Sequence, residues 1–426
     1  MAGPGAPPGA GRLVGDVHDE RDGSDMPRAL LLENIDPVAV ELLSAAGYEV
    51  ESLRGALDEA DLTAALDGVD LLGIRSKTQV TAKVLESRPE LAAVGAFCIG
   101  TNQIDLPAAA AAGVAVFNAP YSNTRSVVEL AIAEIISLAR RLTDRDRALH
   151  DGVWDKSAAG SHEIRGRTLG IVGYGNIGSQ LSVLAEALGM RVLFYDLEDK
   201  LALGNAEACG SLEELLERAE TVTLHVDGRA GNAGMFGAEQ FARMRRRSLF
   251  LNLSRGFVVD HEALREHVLS GHIAGAAVDV FPDEPREQGD AFDSVLRGLP
   301  NVILTPHVGG STQEAQYDIG RFVAGKLADY SRTGTTTLSV NLPAVALHGS
   351  SAARFALLHR NVPGVLAAVD ALVGEHGLNV DGQVLATRGE FGYVVTDVSA
   401  VLPEELLAQL RALPATVRLT TFPPLP

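Results

Sequence analysis

The segment from Thr168 to Leu188, T-L-G-I-V-G-Y-G-N-I-G-S-Q-L-S-V-L-A-E-A-L, decides the fold. An apolar run ends at Gly173, Gly175 and Gly178, and helical periodicity begins directly behind them. Glycines in the pattern G-x-G-x-x-G are a weak signal alone, but between a strand and a helix they make a dinucleotide-binding turn. They permit a tight turn and close approach of the backbone to a pyrophosphate, which would rest on the free amides and positive dipole of the helix start. The next apolar run, R-V-L-F-Y, ends in Asp196. A carboxylate there accepts hydrogen bonds from an adenosine ribose and repels a 2′-phosphate, so the expected cofactor is NAD rather than NADP.

Outward from this turn, T-L-G-I-V-G-Y-G, R-V-L-F-Y-D, T-V-T-L-H-V, L-F-L-N-L-S, G-A-A-V-D-V and V-I-L-T are strand candidates alternating with helices. That is the pattern of a doubly wound parallel sheet. Upstream, A-L-L-L-E, L-L-G-I-R, A-V-G-A-F and V-A-V-F-N, separated by helical stretches such as Val38 to Ala46 and Leu106 to Ala112, predict a second parallel sheet with helices on its faces. The amphipathic stretch T-R-S-V-V-E-L-A-I-A-E-I-I-S-L-A-R-R-L is predicted as a helix linking the two domains. A second, T-Q-E-A-Q-Y-D-I-G-R-F-V-A-G-K-L-A-D-Y, would return the chain to the first. Residues 27–122 and 310–345 then form one discontinuous, flavodoxin-like domain around a Rossmann domain at 123–309, and T-G-T-T-T near residue 335 reads as a linker. Residues 350–426 carry the order βαββαβ of a ferredoxin-like α+β domain.

The chain has 426 residues, 46% of them hydrophobic, which is enough to fill about three cores. A formal charge of −19 argues against broad binding to nucleic acid or anionic membranes, so an anionic ligand needs a local basic cluster. No apolar run approaches the ~20 residues of a membrane span. Residues 1–26 lack the apolar core of a signal peptide and read as a disordered extension, with Met26 an alternative start. Cys98 and Cys209 lie far apart without metal-ligand spacing; buried packing, a reducing cytoplasm and no metal site are expected.

Three charged residues carry candidate chemistry. Arg255, in N-L-S-R-G after a strand, should stand at the carboxyl edge of the sheet, where a guanidinium can fork onto a carboxylate. His307, in T-P-H-V-G-G, has the near-neutral pKa needed to accept a hydroxyl proton while hydride leaves the same carbon. Glu284, in F-P-D-E-P, is placed to pair with that histidine, favouring imidazolium and fixing the ring. Together they suit oxidation of a 2-hydroxy acid.

These motifs, with C-I-G-T-N-Q-I-D-L, F-N-A-P-Y-S-N-T-R-S-V-V-E-L, W-D-K-S-A-A-G-S and T-P-H-V-G-G-S-T-Q-E-A-Q, extend over nearly the whole chain. Through them it resembles the phosphoglycerate-oxidising members of the D-isomer-specific 2-hydroxyacid dehydrogenase family, in the short form with one C-terminal ACT regulatory domain. The resemblance implies oxidation of the C2 hydroxyl of 3-phosphoglycerate with NAD reduced, as the entry to serine synthesis, by a cytoplasmic homotetramer. It implies cofactor contacts at Gly173, Gly175, Asn176, Ile177, Gly178, Asp196, Leu253, Ser254, Arg255, Asp279, His307 and Gly310. Arg75, Ser76 and Lys77 would bind the substrate phosphate, with Lys77 standing where arginine is expected; Asn118 and Ser122 would line the cleft. Trp154 and Lys156 resemble a segment that reaches a neighbouring subunit's active site.

The ACT resemblance places an L-serine effector at His359, Asn361 and Asn379, where side-chain amides suit a carboxylate and a hydroxyl. Val362 replaces the arginine usual before the proline, which bears on serine sensitivity. A second departure is H-V-D at His225 to Asp227 in place of H-x-P. Followed by the glycine-rich G-R-A-G-N-A-G, it predicts a looser loop over the cofactor, and His225 receives no role. Two other readings stay open: reduction of 2-oxoglutarate or another small 2-keto acid, whose second carboxylate could replace the phosphate, and a non-catalytic NAD-sensing scaffold.

Overall fold

A computed structural model describes residues 26–285 and 289–424; of the expected N-terminal extension, all but Met26 lies outside them. The chain divides into two compact units, one running to Pro120 and resuming at Ile319, the other spanning Tyr121–Asp318.

In the first unit β1 (Arg28–Leu31), β2 (Glu49–Ser52), β3 (Leu71–Ile74), β4 (Ala93–Ala96) and β5 (Ala115–Asn118) form a parallel sheet in the order β2-β1-β3-β4-β5. β3, β4 and β5 are buried along their whole length, as apolar runs covered on both faces should be. β2 was not expected. Among the described residues it pairs with β1 alone and is largely exposed, so its sequence E-V-E-S carries no apolar run. Asp36, Asp58, Thr81 and Asp105 each accept a first-turn amide and so start the four helices of this layer.

The second unit holds β6 (Thr168–Val172), β7 (Arg191–Tyr195), β8 (Glu207–Ala208), β9 (Thr221–Leu224), β10 (Ser248–Asn252), β11 (Ile273–Val278) and β12 (Val302–Leu304). All pair in parallel, in the order β12-β11-β10-β9-β6-β7-β8. The six expected strands are present, with short β8 added. The winding direction reverses between β6 and β9, which makes the carboxyl edge there the ligand crevice of an open α/β sheet. The helix predicted to link two domains lies wholly in this unit, as Thr124–Arg140. Arg141, left-handed at φ 53°, ends it, and a second helix, Leu142–His150, follows.

The C-terminal strands β13 (Ala353–Arg360), β14 (Val380–Arg388), β15 (Phe391–Val398) and β16 (Thr416–Phe422) form an antiparallel sheet in the order β14-β15-β13-β16. Helices Val365–Glu375 and Glu404–Arg411 cover one face through Val369, Val373, Leu406 and Leu410. The opposite face, with Ala356, Leu358, Tyr393 and Phe422, joins the core of the first unit through Tyr330, Leu342 and Val345. Polar contacts fix this docking. Tyr393 donates its hydroxyl to the Gly334 carbonyl at 2.9 Å, and Arg354, fully buried on Asp397, donates to the Thr333 carbonyl at 3.0 Å. Arg418 reaches the Leu91 carbonyl at 2.6 Å.

Candidate active site

The glycine turn behaves as its spacing predicts. Gly173 has φ 92°, and a Cβ on it would lie 2.6 Å from the His225 carbonyl oxygen, so neither the backbone nor the space admits a side chain. A Cβ on Gly175 would meet nothing within 4 Å: this glycine faces open space, as close approach to a pyrophosphate requires. Gly178 packs against the Gly173 carbonyl, and the helix Asn176–Ala187 starts at Gly175 without a side-chain cap. Its first amides are therefore available to an anion. Asp196, just past β7, accepts from the Tyr174 and Glu198 amides at 2.8 and 3.0 Å. These features fit a dinucleotide.

The three charged residues come from the ends of neighbouring strands. At the end of β10, the buried Asn252 accepts from both the Ser254 amide, at 3.1 Å, and its hydroxyl, at 2.7 Å, and donates to the Arg255 carbonyl at 3.1 Å. This ties the S-R-G turn that presents Arg255. Gly256 packs on the backbone of Phe281 and Pro282, bringing the acidic segment against the turn. Glu284 lies 2.9 Å from His307 Nδ1 and also accepts the Phe281 amide at 3.1 Å. The hydrogen bond that His307 donates to Glu284 raises the His307 pKa above the ordinary histidine value; burial opposes this, the Glu284 and Asp279 charges add to it, and Arg255 opposes it. Burial pushes the Glu284 carboxyl up, but the His307 bond and charge, the Phe281 amide and Arg255 together outweigh it, and the net shift is down.

His307 itself is left-handed, with φ 54°. Asp279 holds that strained turn. Its carboxylate accepts the Thr305 hydroxyl at 2.6 Å and the amides of Val308 and Gly309 at 2.8 and 2.9 Å. The resemblance implied a cofactor contact at Asp279; the hydrogen bonds give it a scaffolding task that the motif could not reveal. Beneath it, Glu134 is buried with neither carboxylate oxygen hydrogen-bonded, and desolvation, with the Asp279 charge adding, pushes its pKa to about 8. Gly310 accepts the Gln316 amide at 3.1 Å, while Leu253 and Ser254 are buried beside Arg255.

At His225 to Asp227 a side-chain pair stands where the usual proline is absent. Asp227 forms a two-oxygen ion pair with Arg229 and accepts from Asn232 at 3.0 Å, a charged tether within the loop. His225 is half-buried, with Nε2 3.0 Å from the Thr223 hydroxyl and Nδ1 buried, and desolvation lowers its pKa to about 4; it is neutral.

In the first unit, Arg75, Ser76 and Lys77 follow β3. A residue that the motifs did not single out organises this turn. Glu33, buried and left-handed at φ 64°, accepts the amides of Arg75, Lys77 and Thr78 at 3.2, 3.0 and 2.8 Å. Asn118, at the end of β5, donates to the Ile99 carbonyl at 2.6 Å. Ser122, Trp154 and Lys156 belong to the second unit, and Trp154 is 80% exposed. Cys98, expected to be buried, is half-buried with Sγ 3.1 Å from the Gly100 carbonyl, whereas Cys209 is buried and desolvation lifts its thiol to about 11.

The chain does not bring the effector residues together. His359 is buried, with Nδ1 2.8 Å from the Arg360 carbonyl, its ring against Gly392, and Nε2 without a partner. Asn361 is two residues further on and donates to the Gly389 carbonyl at 3.3 Å. Asn379 precedes Val380, which is in register with Val398 and through it with Ala353, whereas His359 is in register with Gly392. Six strand residues separate the two levels, roughly 20 Å.

Comparison with known proteins gives the family. The profile of the D-isomer specific 2-hydroxyacid dehydrogenase NAD binding domain matches residues 132–309, and that of the AHAS small subunit-like ACT domain matches residues 355–418. The chain is 48% identical to D-3-phosphoglycerate dehydrogenase of Escherichia coli K12, over 92% of this chain and 97% of the relative. It belongs to the D-3-phosphoglycerate dehydrogenase family. The Dictyostelium discoideum enzyme of that name is 45% identical over 92% of this chain and 97% of its own length. Among solved structures, D-lactate dehydrogenase of Aquifex aeolicus, complexed with NAD and lactic acid, aligns with a TM-score of 0.62 at 25% identity, over 71% of this chain and 95% of that one. The cofactor is NAD and the chain is a dehydrogenase. Among the described residues no helix is long and apolar enough to cross a membrane.

Proposed function

We propose that this chain oxidises the C2 hydroxyl of 3-phospho-D-glycerate to 3-phosphohydroxypyruvate, the first step of L-serine biosynthesis, with Arg255, Glu284 and His307 as its catalytic residues. The observation that carries the assignment is the 2.9 Å contact between His307 Nδ1 and Glu284, built beside Arg255 in the same unit as the glycine turn. With Nδ1 turned to the carboxylate, Nε2 is the atom left to take the hydroxyl proton. Arg255 offers a fork for the substrate carboxylate and stabilises charge on the C2 oxygen. NAD, when bound, accepts the hydride from C2. The Gly175 opening and the amides of the helix Asn176–Ala187 hold its pyrophosphate, and Asp196 holds its ribose.

Arg75, Ser76 and Lys77 are the phosphate ligands in this reading, with Asn118 and Ser122 lining the substrate cleft and Trp154 and Lys156 acting on a neighbouring subunit. The Glu33 clamp supports it by fixing the backbone of the turn that bears the two cations. L-serine is the proposed effector at His359, Asn361 and Asn379. Antiparallel pairing of two β14 edges would set Asn379 of one copy at the end of the sheet that carries His359 and Asn361 of the other. The working form is then a cytoplasmic homotetramer.

The test follows NADH formation from 3-phosphoglycerate. His307→Ala should abolish turnover while NAD still binds. Cofactor binding by the wild-type chain without turnover of 3-phosphoglycerate or any other 2-hydroxy acid would overturn the reading.

A further inference from the structure

Asp227 and Arg229 form a charged pair that the reaction as derived leaves unused. Arg229 Nε lies 2.8 and 2.9 Å from the two Asp227 oxygens, and Nη2 lies 2.6 Å from Oδ2. The Asn232 amide donates to Oδ1 and to the Asp227 carbonyl, both at 3.0 Å. Between the two charged residues stands Gly228. A Cβ there would lie 3.3 Å from Arg255 Nε and 3.7 Å from its Cγ, so the loop backbone rests against the Arg255 side chain. Asp227 is therefore a neighbour of both arginines. The Arg229 bond is the main force holding its carboxyl below the usual range; burial opposes it, and the Arg255 charge contributes in the same direction as Arg229.

A carboxylate next to Arg255 is chemically equivalent to the group that arginine has to bind. If Asp227 lacked a partner of its own, it would compete for the guanidinium fork in every cycle. Satisfied by Arg229 and Asn232, it has no hydrogen-bonding reason to turn. We propose that Arg229 is a positioning residue, which sequesters Asp227 so that Arg255 meets the substrate carboxylate without an internal competitor. The inference rests on Arg255 being the carboxylate ligand. It also accounts for a charged tether in a loop where a proline could have given stiffness alone.

The experiment uses the full-length chain and steady-state NADH formation. In Arg229→Ala the KM for 3-phosphoglycerate should rise roughly three- to fivefold, the size expected of an ion pair open to solvent. The melting temperature and the KM for NAD should hold, because both side chains are more than half exposed, at 58% and 55%. In the double variant Asp227→Asn with Arg229→Ala the KM should return to the wild-type value, since the competitor has gone with its keeper. If Arg229 served only to shape the loop, the double variant would be as impaired as Arg229→Ala; if it acted only through net charge on the anionic substrate, Asp227→Asn alone would lower the KM below the wild-type value; either result overturns the proposal. An unchanged KM in Arg229→Ala overturns it as well. Arg255→Lys separates the two levels: if it leaves the KM for 3-phosphoglycerate unaltered, the assignment of Arg255 fails, whereas a raised KM there with a silent Arg229→Ala removes the sequestering role alone.

Discussion

Replacing Glu284 by Gln tests the pairing on which the chemistry depends. The amide keeps the shape and can still accept the Nδ1 proton, so the variant removes charge and little else. A hydrogen bond to a charged group contributes ~1.5–3 kcal/mol. The His307 and Glu284 side chains are 49% and 37% exposed, so solvent screening reduces this contribution to about 1 kcal/mol. That corresponds to about a fivefold loss of kcat/KM where His307 is already deprotonated. The pH profile carries the sharper signal. Glu284 raises the His307 pKa, and the base must be unprotonated to accept the hydroxyl proton, so wild-type activity falls as pH drops through that raised value. In Glu284→Gln the acid limb should move to lower pH, narrowing the activity difference between the two proteins as the medium becomes more acid. The assay is kcat/KM for 3-phosphoglycerate from about pH 5.5 to about pH 9.5, the span over which a shifted histidine titrates. An acid limb that stays in place while the rate falls would show that Glu284 does not hold the proton on His307, and the pairing would lose its catalytic meaning.

Three further outcomes follow from single sites. The Glu134 pKa, about 8, stands above its ordinary 4.5, so between these values the folded chain keeps a proton the unfolded chain has released, and stability falls as pH rises through that window. Glu134→Gln should match wild type in stability at about pH 4 and exceed it above about pH 8 by an amount on the order of a few kcal/mol, read by denaturation at both pH values; an equal difference at both would count against the buried neutral acid. Asp196→Ala should raise the KM for NAD by about tenfold and make NADP turnover measurable, because the ribose acceptor and the repulsion of a 2′-phosphate go together; unchanged preference between the two cofactors would count against its ribose role. Gly113→Ala forces a side chain into φ 73° and within 2.8 Å of the Arg418 Cβ and Cδ, so chemical denaturation should show a loss of about 2 kcal/mol or more, and an unchanged midpoint would contradict the tight docking of the C-terminal sheet.

The parts of this molecule legible in its sequence are those whose chemistry is local. The glycine turn, the strand runs of both parallel sheets and the βαββαβ order all follow from short patterns, because a glycine's freedom and a buried strand's apolar run belong to the residues themselves. β2 escaped because a solvated edge strand needs no apolar residues. The break at Arg141 escaped because L-A-R-R-L keeps its helical spacing through the left-handed residue. Glu33 and Asp279 act on backbone amides, Glu33 on residues more than forty positions away, and an amide is the same in every sequence. The Asp227–Arg229 pair escaped for a related reason. The lost proline was visible, but the contact that stands near it is a side-chain pair whose members are unremarkable until the loop folds.

The division of labour among the carboxyl groups around His307 explains why the turn is built from acids. A histidine at φ 54° costs on the order of 1–3 kcal/mol of backbone strain, which something must offset. Asp279 does so by accepting three hydrogen bonds on one side chain. An asparagine could not replace it, because its NH2 would face an amide N–H instead of accepting from it. Glu284, in contrast, is half-exposed and bonds mainly to a side chain that must change its protonation state, so its effect can vary during the cycle while Asp279's does not. A second buried negative charge near Asp279 would weaken the arrangement by adding an unpartnered anion, and the raised pKa of Glu134 keeps that third carboxyl neutral below about pH 8. The strained backbone and the proton-holding pair are thus supported by different acids, and the histidine can gain or lose its proton without disturbing the hydrogen bonds that hold its turn.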